Sequence, residues 1–427
     1  MEKMKLATER AVYQIPFSPP DISEAEIDEV AAAMRSGWIT TGRRTKLFES
    51  RLAQYIGVGA GRVACLSSAT AALELTLRVL GVGPGDEVIT SAYTYTASAA
   101  VIDHVGARIV FADVKPGTYE IDEEAVAKAI TERTKAVIPV DVGGMMIDYD
   151  RLAAAVESRK SLWRPTRGTR QELFDRVVLL ADAAHSFGAT YHGRTSGSVA
   201  DFSCFSFHAV KNLTTGEGGA VAWKRRDNLD DAALYKAYQL LSLHGQDRDA
   251  LAKSQCGKWE YDILCTGYKY NMTDLAAGFG LKQLERFDGL ADRRREISDD
   301  YDDWLGPADE CALPGQIERM AHRRPGRQGN YHLYMTRVPG ITLEQRSDII
   351  AAMGERGVAC NVHFKPLPLM TAYRNLGFRM EDYPEAYRQY KSEITLPLHT
   401  LLTDDQAAYV AETFLETLKP YLHGRRG

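Results

Sequence analysis

Cysteine is scarce in this chain. The 427 residues hold six, at positions 65, 204, 256, 265, 311 and 360. No two stand as CxxC or at another common zinc-ligand spacing, so no metal site is expected. The scarcity also argues against a disulfide scaffold and for a reducing compartment. Cys65 and Cys204 lie in apolar runs, where a free thiol behaves as a small core residue. Apolar runs long enough to span a bilayer are missing, so no membrane partner is expected. Met1 to Glu9 carries lysines but no apolar export core, which predicts a cytoplasmic protein. An excess of one charge is missing too: 52 Lys and Arg face 57 Asp and Glu, a net charge of −5. Without a basic stripe, nucleic acid is not an expected partner. There is no internal repeat and no low-complexity tract.

What the chain does have is apolar content, 45% of residues, enough for a large core and more than one domain. From about Arg43 to Trp223, short apolar runs alternate with segments of helical period. Strands are expected at 63–66, 87–90, 108–111, 136–140, 177–181 and 202–207. Helices are expected at 43–56, 69–80, 97–105, 123–130 and 150–157. Continuous apolar strands between helices predict an α/β fold, a mostly parallel sheet with helices on both faces. Residues 158–175 read as a charged surface insertion, and 307–330, rich in Gly, Pro and Arg, as a mobile loop. Strands at 332–338 and 360–364 with helices at 345–356 and 404–418 predict a smaller α+β domain. The expected division is 1–275, an N-terminal segment with the large domain, and 276–427, the small one.

The most informative residue is Lys211, between the strand ending at Phe207 and the turn Gly216-Glu217-Gly218-Gly219. A lysine sheltered there loses its proton more readily and attacks an aldehyde. Asp182 closes another apolar strand. A lysine and an acid meeting in one α/β crevice are what pyridoxal 5′-phosphate (PLP) needs, the lysine for an imine and the acid for the pyridine nitrogen. Ser67-Ser68-Ala69-Thr70 falls between a strand and a helix, where free N–H groups suit a phosphate. The same pattern is also an ordinary Ser/Thr cap. His185 is placed either to contact the ring or to support Asp182. Tyr93 and Tyr95 follow a strand, and either packs in the core or stacks on a flat cofactor.

Taken together, SSATAAL (67–73), YTYTAS (93–98), DAAHSFGA (182–189) and SFHAVKNLTTGEGGA (206–220) resemble the DegT/StrS-type sugar-nucleotide aminotransferases, which are fold-type I PLP enzymes. GYKYNMTD (267–274), VHFKPL (362–367) and LPLH (396–399) strengthen the likeness, which runs from about Pro16 to Leu418. The resemblance implies that Lys211 binds the cofactor and shuttles protons, and that Asp182 pairs with the pyridine nitrogen. It implies that Tyr95 stacks on the ring, and that Ala69, Thr70 and Ser206 hold the phosphate. Asn271 matches a residue that reaches the phosphate of a partner subunit, implying a homodimer with shared sites. Tyr334 and His363 fall in segments that face the sugar nucleotide.

The reaction so implied moves an amino group from L-glutamate to a nucleotide-linked 4-keto-6-deoxy sugar for cell-surface glycan or polysaccharide. Asp141 to Met146 and Lys269-Tyr270-Asn271 depart from the commonest family pattern and resemble the branch that acts on UDP-linked sugars; dTDP- and GDP-linked sugars are the alternatives. Dehydratases on this fold typically carry histidine in place of the lysine, so Lys211 argues against that chemistry. A sensor on the same fold is the remaining class, since fold alone does not fix function.

Overall fold

A computed structural model describes residues 13–248, 260–306 and 317–422 of the chain. Strands β1 (Val63–Leu66), β2 (Glu87–Ser91), β3 (Arg108–Ala112), β4 (Thr134–Ile138) and β5 (Val178–Asp182) come first. A small hairpin, β6 (Thr190–Tyr191) and β7 (Arg194–Thr195), precedes β8 (Phe202–Ser206) and β9 (Gly219–Trp223). Seven of these strands form one sheet in the order β1-β9-β8-β5-β4-β2-β3. β2, β3, β4, β5 and β8 pair in parallel. β9 is antiparallel to both β1 and β8, so it is the one reversed strand of this sheet. Strands β1, β2, β4, β5 and β9 are buried along their whole length, which is why they read as unbroken apolar runs.

The helices Arg43–Ile56, Ala69–Val79, Ala97–His104, Glu123–Ala129 and Tyr149–Glu157 fall where the sequence period put them. β4 lies two residues earlier than expected, because Pro139 has no N–H for a ladder bond and the strand stops at Ile138. The 158–175 segment does lie at the surface, yet it is anchored. Trp163, Gln171 and Phe174 are buried, and Gln171 Nε2 donates to the Gly81 carbonyl at 3.2 Å. That contact sits at the far end of the Ala69–Val79 helix.

A second core gathers around β13 (Tyr334–Arg337) and β14 (Glu393–Leu396). It includes residues from the helices Phe287–Trp304, Leu343–Glu355 and Asp404–Leu422. β10 (Glu318–Arg319) completes this three-stranded sheet, in the order β10-β13-β14. Ile15 joins the same core, its N–H donating to Gly357 at 2.7 Å. Two expectations fail here. Residues 317–330 are not an open loop: besides β10 they form the hairpin β11 (Arg323–Arg324) and β12 (Arg327–Gln328), and β12 extends the β6–β7 hairpin. Residues 307–316 lie outside the described residues. Residues 360–364 are not a strand either; their one ladder contact is the bridge of Asn361 to Thr395.

Candidate active site

The carboxyl ends of β1, β5 and β8 converge with the loop after β2, the place where open α/β sheets present ligand sites. A cavity of about 480 Å³ opens there. Its lining includes Ala69, Thr70, Tyr95, Asp182, His185, Ser206, Lys211 and His363, so eight of the residues picked from sequence share one space. His332 and Phe364 also line it.

Lys211 rides on the turn that joins β8 to β9. The turn is closed on Phe207, whose N–H donates to Gly218 and whose carbonyl accepts from Thr215, both at 2.9 Å. Burial pushes the lysine down to about 8, against the attraction of Asp182. Asp182, at the end of β5, accepts from Ser98 Oγ at 2.6 Å and from the Ala184 N–H at 3.2 Å. Burial raises its pKa, and those two bonds with the Lys211 charge pull it back.

Three histidines surround the lysine, and burial holds all three well below the usual imidazole range. The Gly143 N–H donates to His185 Nδ1 at 3.2 Å, so neutral His185 carries its proton on Nε2. His332 Nδ1 lies 2.9 Å from Asn212 Oδ1, while Asn212 Nδ2 donates to the Asn330 carbonyl at 2.8 Å. An amide oxygen only accepts, so His332 carries its proton on Nδ1. Asn330 in turn donates to the carbonyls of His185 and Phe187. Neutral histidines leave Lys211 and Asp182 as the buried charges of this space, with Glu217 exposed at its edge.

At the other end of the cavity, Ser68 caps the Ala69–Val79 helix, accepting from the Ala71 N–H at 3.0 Å. The N–H groups of that first turn cannot be satisfied within the helix and favour an anion. Gly219 makes the close approach possible: a Cβ there would stand 2.3 Å from the Ser68 carbonyl carbon and 2.4 Å from the Ala69 nitrogen. Lysine, buried acid, helix N-terminus and Ser206 hydroxyl are a donor set that fits PLP. Tyr95 supplies a flat face, 61% exposed beside Phe364, whereas Tyr93 is wholly buried.

Two expected residues are placed elsewhere. Tyr334 does not reach the cavity: it is buried in the second core, and its hydroxyl donates to Asp302 at 2.8 Å. Asn271 does not line the cavity of its own chain; its side chain bonds Lys269 Nζ and Thr41 Oγ1. Sequence reasoning gave no role to Ser98, Asn212 or His332. The first two sit inside quoted motifs, Ser98 ending YTYTAS and Asn212 directly following the lysine. His332 had no such signal.

This fold and site define a PLP-type aminotransferase architecture, and comparison with known proteins makes the class specific. Residues 20–415 match the DegT/DnrJ/EryC1/StrS aminotransferase family, and the chain belongs to it. It is 37% identical over 412 residues to the spore coat polysaccharide biosynthesis protein SpsC of Bacillus subtilis, covering 95% of this chain and 97% of that one. The sugar aminotransferase Spr1654 of Streptococcus pneumoniae, described as putative, superposes with a TM-score of 0.91 at 51% identity in its PMP form. That match covers 96% of this chain and all of the other; a PLP form of the same protein superposes at 0.90. PseC of Helicobacter pylori, an aminotransferase of pseudoaminic acid biosynthesis, is 26% identical over 96% of this chain and 100% of its own, with a TM-score of 0.81. Among the described residues, no helix is long and apolar enough to cross a membrane.

Proposed function

We propose that this protein is a PLP-dependent aminotransferase that moves an amino group from L-glutamate to a nucleotide-linked 4-keto-6-deoxy sugar, UDP-linked, for cell-surface glycan or polysaccharide. The carrying observation is Lys211 and Asp182 lining one cavity with a capped helix N-terminus. SpsC and PseC, by their descriptions, serve polysaccharide and pseudoaminic acid synthesis, which supports a sugar acceptor.

When bound, PLP supplies an electron sink for a carbanion next to the reacting nitrogen. Lys211 Nζ, partly neutral near pH 8, takes and returns the transferred proton. Asp182, in its ionised form, holds positive charge on the ring nitrogen. The first-turn N–H groups at Ala69 and Thr70, with Ser206 Oγ, bind the phosphate, and Tyr95 covers a ring face. His185 offers its Nε2–H to the ring oxygen, and His363 meets the sugar. A second copy of the chain completes the phosphate site with its Asn271, making the working unit a homodimer.

The test incubates the purified protein with L-glutamate and UDP-, dTDP- and GDP-linked 4-keto-6-deoxyhexoses, read by mass spectrometry. An aminated UDP sugar is expected. Amination of only a dTDP or GDP sugar overturns the carrier, and no amination of any of them overturns the reading.

A further inference from the structure

His363 is held far more firmly than a side chain that merely lines a cavity. Its Nδ1 lies 2.9 Å from Thr395 Oγ1. Thr395 Oγ1 bonds Glu393 Oε1 at 2.5 Å. Glu393 Oε2 accepts the backbone N–H of His363 at 2.8 Å, and the His363 carbonyl accepts from the Tyr93 hydroxyl at 2.5 Å. Phe17 stacks on the imidazole, 5.5 Å between centroids and 24° between planes. The ring is fixed at one nitrogen and on one face, and its backbone is fixed on both sides.

Glu393 and Thr395 are both fully buried on β14 and do not line the cavity, so neither touches a ligand. Burying a carboxyl is costly unless it is hydrogen-bonded, and both oxygens of Glu393 are. Arg346, the nearby cation, donates to the backbone carbonyl of Glu393 at 3.3 Å; no carboxylate ion pair to Glu393 occurs among the described residues. Both side-chain bonds of Glu393 end on His363, one directly and one through Thr395.

With Nδ1 tied to Thr395, Nε2 is the nitrogen left for the cavity. Building on the sugar-aminotransferase reading, we propose that Glu393 and Thr395 are positioning residues for the amino acceptor: through the Thr395 hydroxyl they turn His363 Nε2 toward a hydroxyl of the keto sugar. The orientation is the same whether Glu393 is ionised or protonated, because the Thr395 hydroxyl stays between the acid and Nδ1. Only the direction of donation changes. A sugar hydroxyl both donates and accepts, so it matches Nε2 in either tautomer. The contact is assigned to the sugar half-reaction alone, so the glutamate half-reaction serves as its control.

The experiment compares Thr395→Val, which keeps the shape and deletes the hydroxyl, with Thr395→Ser, which keeps the hydroxyl. The first readout needs no substrate: NMR of protein labelled with 15N-histidine, the His363 signals being identified by their loss in His363→Gln. Thr395→Val is expected to shift both ring nitrogens of His363, and Thr395→Ser to leave them near wild type. The second readout follows each half-reaction separately by absorbance, using the keto-sugar nucleotide that the wild type aminates. Thr395→Val is expected to raise the sugar KM about 3- to 10-fold, the worth of one neutral hydrogen bond, with the glutamate half-reaction kept. Thr395→Ser is expected to restore it. Unmoved His363 signals in Thr395→Val, an unchanged sugar KM, or equal loss in both half-reactions overturns the proposal. If the wild type aminates no keto sugar, the functional reading fails by itself, and the NMR comparison still decides whether Thr395 orients His363.

Discussion

The lowered pKa of Lys211 gives a prediction that can be tested without knowing the sugar. An ordinary lysine near 10.5 is almost wholly protonated at pH 7, whereas a group at about 8 is neutral in about one molecule in ten. The neutral amine is therefore roughly 300-fold more abundant at Lys211 than at a surface lysine at pH 7. The assay removes any bound cofactor by treatment with an amino donor and dialysis. It then exposes the protein to a small neutral aldehyde with cyanoborohydride between pH 6 and 11 and follows each lysine by peptide mass spectrometry. Normalising each lysine to its own plateau at high pH removes differences in access. Lys211 is expected to reach half its plateau near pH 8, and the surface lysines above pH 10. In Asp182→Asn the Lys211 midpoint moves lower still, because the buried anion that stabilises the charged ammonium is gone. A Lys211 midpoint shared with the surface lysines, or an upward shift in Asp182→Asn, refutes the reasoning.

Two further outcomes follow from particular contacts. Gly144 has φ 96°, and a Cβ there would stand 1.9 Å from Asn330 Oδ1 and 3.1 Å from the His185 carbonyl oxygen. Gly144→Ala is therefore expected to cost about 1–3 kcal/mol in urea unfolding. Gly168→Ala, at φ 76° with nothing near, costs less; equal losses contradict the packing argument. His322 is buried and held down to about 4, while in an unfolded chain it titrates near 6.5. Below pH 6.5 the unfolded state takes up a proton that the native state refuses, so the stability present above 6.5 is lost as the pH falls. The stability of His322→Phe relative to wild type should then grow by about 2 kcal/mol between pH 7 and 5, and identical pH slopes would refute it.

The large sheet was legible because its strands are buried on both faces and its helices carry a clean period. The lysine, the acid and the Ser68 cap were legible because each stands at or just beyond a strand end beside glycine or small residues. Side-chain direction was harder to read. The family resemblance pointed to the segment of Tyr334, but the regular strand begins only at Tyr334, so strand alternation does not reach back to His332. His332 then faces the cavity, and Tyr334 points into the second core. The 360–364 segment alternates like a strand, yet its backbone bonds are spent on Glu393, Thr395 and Tyr93. Such partners lie far away in sequence, and local pattern carries no trace of them.

The reversed strand has a consequence of its own. Gly219 opens β9 paired at once with Leu66 of β1 and Ser206 of β8. The lysine-bearing turn thus exits onto the same spot where the Ser68-capped helix begins. Amine and helix N-terminus share a single anchor, and their separation is set by backbone pairing rather than by any side chain. Transplanting the lysine alone into an all-parallel sheet would fail to recreate that spacing; the minimal portable unit is β8, the turn and β9 together, with β1 alongside.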